Sequence, residues 1–368
     1  LPPIQNSKKH FAELDGLRGI AAISVVIFHF MEVIITDYSR NFIGHGFLAV
    51  DFFFCLSGFV IAYAYDDRIE KMGKTKFFKA RLIRLHPLVI FGSVLGLLGY
   101  LFDPFAAHSQ SAGWLNITEL FIASILMIPL PTMAERFFNL FSFNAPAWSL
   151  FWEYIANILY ALFLHRLKPR YLALLMIPSA AAICLVAYND GSLLGGWSGP
   201  TFWAGLARLS WSFLAGMFIY RSGWIIRNRL GFLPLSLLLF GAFLFPYSKL
   251  NMLWEPLIVI VWFPLLIALG AATTQSEKTK RLCAFSGNIS YPLYMTHYWL
   301  IFIFAHYFEL HHPAGLHLFF IVSACVAVML LLAWLTYTFY DLPLRRKITK
   351  STIPQTTKGN TQSTTSIL

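Results

Sequence analysis

Two ionisable side chains, Arg18 and His29, stand in the first long apolar stretch of this chain, Leu14-Asp15-Gly16-Leu17-Arg18-Gly19 running on to Phe28-His29. At about 100° per residue their eleven-position separation brings both onto one helix face, roughly 16 Å apart along the axis. Ionisable groups at membrane depth are costly, and they mark either a functional site or a buried polar pair. A neutral imidazole there is suited to taking a proton. Asp15, three residues before Arg18, is within ion-pair reach on a helix; the plain reading of that pair is a snorkelling interfacial couple.

Four further groupings carry chemistry-bearing residues. In Val50-Asp51-Phe52-Phe53-Phe54-Cys55-Leu56-Ser57-Gly58, a carboxylate inside an apolar run requires a histidine or arginine partner, and Ser57-Gly58 allows close helix approach. Arg81 and Arg84, before His86-Pro87, project to one side of a helix, where they suit either a phosphate clamp or plain positive-inside anchoring. In Trp148-Ser149-Leu150-Phe151-Trp152-Glu153, Glu153 is a second intramembrane carboxylate on nearly the same face as Ser149, while the tryptophans also fit an interface belt. In Ser290-Tyr291-Pro292-Leu293-Tyr294-Met295-Thr296-His297, Tyr294 and His297 suit a structural hydrogen bond as well as a substrate contact. Cys55, Cys184, Cys283 and Cys325 are isolated and read as small buried hydrophobes. No zinc spacing, phosphate loop or nucleophile elbow appears, so neither a metal nor a permanently bound cofactor is expected.

The elements that must position these residues follow from composition. The 368 residues are 58% hydrophobic and only 12% charged, against about a quarter charged in soluble domains. An all-α, polytopic membrane helix bundle is expected. The net charge of +11 resides in short loops between apolar runs, the positive-inside pattern rather than a nucleic-acid stripe. Candidate spans cover residues 17–36, 45–65, 86–102, 147–164, 172–188, 203–220, 230–246, 256–272, 291–308 and 317–339. The connections 66–84, 165–170, 221–229, 277–281 and 345–350 are basic; 37–44, 189–202, 247–255 and 309–316 hold only Arg40 and Lys249. These charges agree with about ten spans and both termini cytoplasmic, provided that the short run 117–131 is re-entrant or lies in the outer interface. Residues 1–13 do not resemble a cleavable signal. Residues 1–350 read as one transmembrane domain, followed by a disordered polar tail, 351–368.

These ordered motifs resemble acyltransferase family 3, integral membrane O-acyltransferases of surface or exported glycans. The resemblance covers roughly residues 10–348. It rests on Leu14-Asp-Gly-Leu-Arg18-Gly with His29, Val50-Asp51 to Ser57-Gly-Phe, Arg81-x-x-Arg84, Trp148-Ser-Leu-x-x-Glu153, Ser290-Tyr-x-Leu-Tyr294-x-x-His297 and Tyr340-Asp-Leu-Pro343. Asp341 departs from the Glu expected at its position. The resemblance implies transfer of an acetyl or other short acyl group from cytosolic acyl-CoA to a hydroxyl of a carbohydrate or lipid-linked glycan, in a bacterial inner membrane. It makes His29 the base, Arg18 its partner at an oxyanion or a CoA phosphate, and Arg81 and Arg84 the acyl-CoA contacts. Asp51 or Glu153 would orient His29, and Asp15, Ser57, Trp148, Ser149, Tyr294 and His297 would contact substrate. A homodimer is left open. The competing reading is a transporter or flippase for a polar lipid or glycan, but paired broken helices in two halves are not found in the sequence. A sensor or scaffold docking through 117–146 is a third.

Overall fold

The computed structural model describes residues 11–106, 113–273 and 277–352. Lys8, Lys9, His10 and the polar tail beyond Thr352 lie outside the described residues; Ser351 and Thr352, placed in the tail by composition, close the last helix.

With no water in a bilayer core, the backbone must satisfy its own hydrogen bonds, and apolar runs of this length do so as helices. The main helices are α1 (Ala12–Ile34), α2 (Ala49–Tyr65), α3 (Lys74–Leu101), α4 (Trp114–Leu126), α5 (Ala147–Leu162), α6 (Pro169–Asp190), α7 (Phe202–Ser222), α8 (Phe232–Phe243), α9 (Asn251–Gly270), α10 (Glu277–Thr296), α11 (Tyr298–His311), α12 (Gly315–Leu335) and α13 (Leu342–Thr352). No strand occurs among the described residues. Among the described residues, seven stretches are long and apolar enough to cross a membrane, built on α1, α2, α3, α6, α7, α9 and α12. The chain is therefore a polytopic helical membrane protein. The run 117–131 yields only α4, whose 13 residues span about 20 Å of a hydrocarbon core about 30 Å thick. It stops at a left-handed Met127.

The ninth expected span, 291–308, is corrected. The helix begins far earlier, at Glu277, and breaks at His297 into α10 and α11. The basic stretch 277–281, expected as a loop, is the first turn of α10. Beyond that turn, α10 packs along α1 through small residues. A Cβ added to Gly19 would lie 1.6 Å from Ser286 Oγ, and one added to Gly16 would lie 2.7 Å from Cys283 Sγ. These contacts make α1 and α10 a close parallel pair. A second parallel pair, α2 and α7, meets through Gly58 and Gly216, whose added Cβ atoms would lie 2.1 Å from Phe213 O and 1.9 Å from Cys55 O.

Polar clips gather the loops into two sets. At the basic end, Arg221 donates to both carboxylate oxygens of Asp66 and to the carbonyls of Leu164 and Leu167. At the other end, buried Glu255 accepts from Ser192 Oγ at 3.1 and 3.0 Å and from the Leu193 amide, and stands 3.3 Å from His45 Nε2. The segment 127–146 closes over that second end, where Leu140 N bonds Trp197 O at 3.0 Å.

Candidate active site

A cavity of about 710 Å³ opens among α1, α2, α3, α5, α10 and the α12–α13 connection. Asp15, Arg18, Ser57, Arg81, Arg84, Ser149, Glu153 and Tyr294 all line it, so the tertiary fold unites residues the sequence scatters over five helices. Arg18 is fixed by three contacts: Nε donates to Ser290 Oγ at 2.9 Å, Nη2 donates to Gly287 O at 2.8 Å, and Nη2 lies 3.1 Å from Asp15 Oδ1. The close α1–α10 packing around Gly19 is what makes the Gly287 carbonyl reachable. Arg81 is tied down as well, donating from Nη2 to Glu153 Oε1 at 2.7 Å, and Ser57 Oγ donates to the same oxygen at 2.8 Å. Arg84 has no hydrogen bond or ion pair among the described residues, though Arg18, Arg81 and Asp341 lie within electrostatic reach. Lys280, Arg345 and Arg346 add cationic groups to the wall. Such a concentration of positive charge in a partly enclosed cleft attracts a polyanion.

Phe53 and Tyr294 form one wall of the cavity, their rings meeting edge-on at 5.6 Å. Tyr294 exchanges a 2.8 Å hydrogen bond with Ser149 Oγ. Behind this wall lies His297, 5.9 Å from the Tyr294 ring, and then His29, stacked on His297 at 5.3 Å. Neither histidine lines the cavity. His297 sits at the break between α10 and α11, completely buried. Its Nδ1 donates back to the carbonyls of Tyr294 (2.8 Å) and Leu293 (3.2 Å), so Nε2 holds the lone pair; that atom has no partner among the described residues. His29 faces the opposite side of the wall from Arg18.

The partner of His29 is Glu32. Nδ1 donates to Glu32 Oε1 at 2.5 Å, and Tyr38 OH donates to Oε2 at 3.2 Å. This fixes the tautomer with the Nε2 lone pair free to accept a proton. The expectation that Asp51 or Glu153 orients His29 is corrected. Asp51 is completely buried and bound to Arg208, whose Nε lies 3.1 Å from each carboxylate oxygen and whose Nη2 lies 2.6 Å from Oδ2. Arg208 also donates to Gly195 O and Phe47 O, and stacks 5.2 Å over Trp148. Asp51 thus belongs to a structural ion pair that Trp148 covers, and neither residue lines the cavity, because the α2–α7 pairing supplies a guanidinium at the right height. Glu153 is spent on Arg81 and Ser57.

Sequence reasoning missed Glu32 and Arg208. Glu32 carried a signal, a carboxylate three residues after a mid-helix histidine; Arg208 carried another, an arginine inside an apolar run. Lys280, Arg345 and Arg346 were read only as basic loop charge. Asp341, the residue departing from the motif, is nearly buried and pairs with Arg345 one turn on. Among the described residues no group of three or more potential metal ligands occurs.

Comparison with known proteins agrees with this architecture. Residues 11–338 match the family defined by an acyltransferase domain, acyltransferase family 3. The chain is 31% identical over 202 residues to protein 2 in the picA locus of Rhizobium radiobacter, covering 50% of this chain and 97% of that protein. It is 35% identical over 88 residues to O-acetyltransferase OatA of Staphylococcus aureus, covering 23% of this chain and 13% of OatA. No solved structure matches.

Proposed function

The chain belongs to acyltransferase family 3, and from that premise we propose that it moves an acetyl or other short acyl group from acyl-CoA to a hydroxyl of a surface or exported carbohydrate. The observation that carries the proposal is the arrangement of two half-sites around Phe53 and Tyr294: a cationic cavity on one side, and a carboxylate-held histidine on the other. The name of OatA, an O-acetyltransferase, supports oxygen as the acceptor atom and acetyl as the group moved.

In this reading the basic end faces the cytosol, because its loops hold nearly all the loop lysines and arginines. CoA is a cytosolic polyanion. Arg18, Arg84, Lys280, Arg345 and Arg346 surround its phosphates, and the pantetheine arm extends along the cavity towards Ser149 and Tyr294. The acceptor hydroxyl approaches from the opposite side. His29 Nε2 takes its proton as the oxygen attacks the thioester carbonyl, and Glu32 stabilises the imidazolium that forms. Collapse of the tetrahedral intermediate breaks the C–S bond, and the proton passes to the departing thiolate. The Phe53 and Tyr294 rings separate the two reactants at rest, so their displacement is part of the reaction. Arg18 lies on the cavity side of that wall and therefore serves the donor.

The test is acyl transfer by the full-length protein in lipid nanodiscs, with radiolabelled acetyl-CoA and membrane-extracted glycans as acceptor, followed by mass spectrometry of the product. An acetylated glycan that disappears with His29→Ala is expected. Equal product from that variant, at equal protein level, sinks the proposed base. Movement of glycan across the bilayer without any acyl donor would favour transport instead.

A further inference from the structure

The segment 127–146 delivers one side chain that no motif contains. Arg136 is only 4% exposed, and its Nη1 is buried without a hydrogen-bond partner. It makes no ion pair among the described residues, although two carboxylates are near enough to be felt, Asp103 and Glu135. Each of those is engaged elsewhere: Asp103 lies 2.7 Å from His306 Nδ1, and Glu135 accepts from Tyr100 OH at 3.3 Å. A buried cation whose acids are committed to others is costly to maintain. Desolvation pulls its pKa down to about 10, so it stays charged at neutral pH.

The backbone is bent to hold it there. Phe137 and Phe138, immediately after Arg136, are both left-handed, with φ of 55° and 52°, a conformation that non-glycine residues avoid. Their rings point to the surface, 69% and 46% exposed. The turn therefore directs two phenylalanines outward and brings the arginine in. Such strain is concentrated where a position matters for function.

What the guanidinium meets inside is the roof of the histidine site. It lies 3.6 Å over the Phe302 ring and 5.3 Å from Tyr100. Phe302 packs on Tyr298 at 4.8 Å, and Tyr298 packs edge-on to His29 at 4.8 Å. Tyr298 and Phe302 are one helical turn apart on α11, forming an aromatic shelf with His29 at one end and Arg136 at the other. Aromatic shelves suit sugar rings, and a guanidinium stacked face-on presents its N–H donors at the rim. The shelf is on the order of 10 Å long by the usual spacing of packed rings, a span suited to a small oligosaccharide.

We propose that Arg136 is a specificity-determining residue that binds an anionic group, carboxylate or phosphate, of the carbohydrate acceptor whose hydroxyl His29 deprotonates. This rests on the acyltransferase reading for the second half of the statement only; the anion site itself stands on the geometry of Arg136.

The two are separable by measuring binding without any acyl donor. Full-length protein in nanodiscs is titrated calorimetrically with glucuronosyl-glucose, with its neutral counterpart cellobiose, and with cellobiose carrying a 6′-phosphate. At least one anionic sugar is expected to bind about tenfold more tightly than cellobiose, the scale of one charge-assisted hydrogen bond; which one distinguishes carboxylate from phosphate recognition. Arg136→Gln should remove that preference and leave cellobiose unaffected. Arg136→Lys, which keeps the charge but not the fork, should retain part of it, and decides the matter if the glutamine variant fails to fold. No preference in the wild type, or an undiminished preference in the folded variants, overturns the site. Binding through Arg136 with no acyl transfer would leave this site standing and remove the transferase reading; transfer without anion preference would do the opposite.

Discussion

His29 and Glu32, one turn apart on the same helix, are joined through Nδ1 and Oε1 at 2.5 Å. The pair is local in sequence, yet its imidazole is held by residues distant in the chain: His297, at the break after α10, stacks on it, and Tyr298, which opens α11, packs edge-on. A base held in one tautomer and one orientation loses little entropy when it takes a proton.

His29→Ala should lower acyl transfer by roughly 10²- to 10⁴-fold, the usual worth of a positioned general base. Glu32→Gln keeps a hydrogen-bond acceptor but removes the charge that stabilises the imidazolium, so a smaller loss in kcat is expected, about 10- to 100-fold. Glu32 does not line the cationic cavity, so KM for acetyl-CoA should stay unchanged in steady-state kinetics. A raised KM with normal kcat would place Glu32 in donor binding instead.

Arg84 and Arg81 face the same cavity but differ in their engagement. Arg81 is bonded to Glu153 at 2.7 Å, whereas Arg84 has no bonded partner among the described residues. Arg84→Gln should therefore raise KM for acetyl-CoA about tenfold with little change in kcat, as expected for loss of one charge-assisted phosphate contact, and should weaken its salt dependence. Arg81→Gln should instead lower the thermal midpoint of the protein, because it leaves the Glu153 carboxylate with Ser57 but without its cation. A donor KM indifferent to Arg84 would remove it from the CoA site.

Asp51 and Arg208 are each essentially buried and satisfy each other through three short contacts. Removing one partner leaves the other charge uncompensated, at a cost of about 3–5 kcal/mol. Asp51→Ala and Arg208→Met should each unfold well below the wild type in a detergent thermal melt. Removing both together should cost less than the sum of the two single losses. Strictly additive losses would show that the pair is not coupled.

Gly19 leaves no room for a side chain, since an added Cβ would meet Ser286 Oγ at 1.6 Å. Gly19→Val should push α1 from α10 and destabilise the protein by about 1–3 kcal/mol, the scale of core overpacking. It should also loosen the Arg18–Gly287 hydrogen bond, raising KM for acetyl-CoA. Gly241→Val, at a position whose added Cβ meets nothing within 4 Å, serves as the control and should leave both stability and KM near the wild type. Equal behaviour of the two variants would exclude close packing as the role of Gly19.

The apolar runs and loop charges of this chain determined its class by themselves. Burial of twenty or so apolar residues in lipid forces a helix whatever its neighbours are, and that is a local property of each stretch. Likewise the helical period alone put Arg18 and His29 on one face of α1, and it also contained the His29–Glu32 spacing. What the sequence could not decide was which charge answers which. Asp51 lies 157 positions from Arg208 and Glu153 lies 72 from Arg81; only the glycine-lined approach of α2 to α7, and the packing of α3 against α5, bring them together. The break at His297 places that ring between the cavity wall and His29. The sequence supplied two clusters without their boundary; the wall of Phe53 and Tyr294 between cationic cavity and histidine exists only in the assembled bundle, because its members come from α2 and α10.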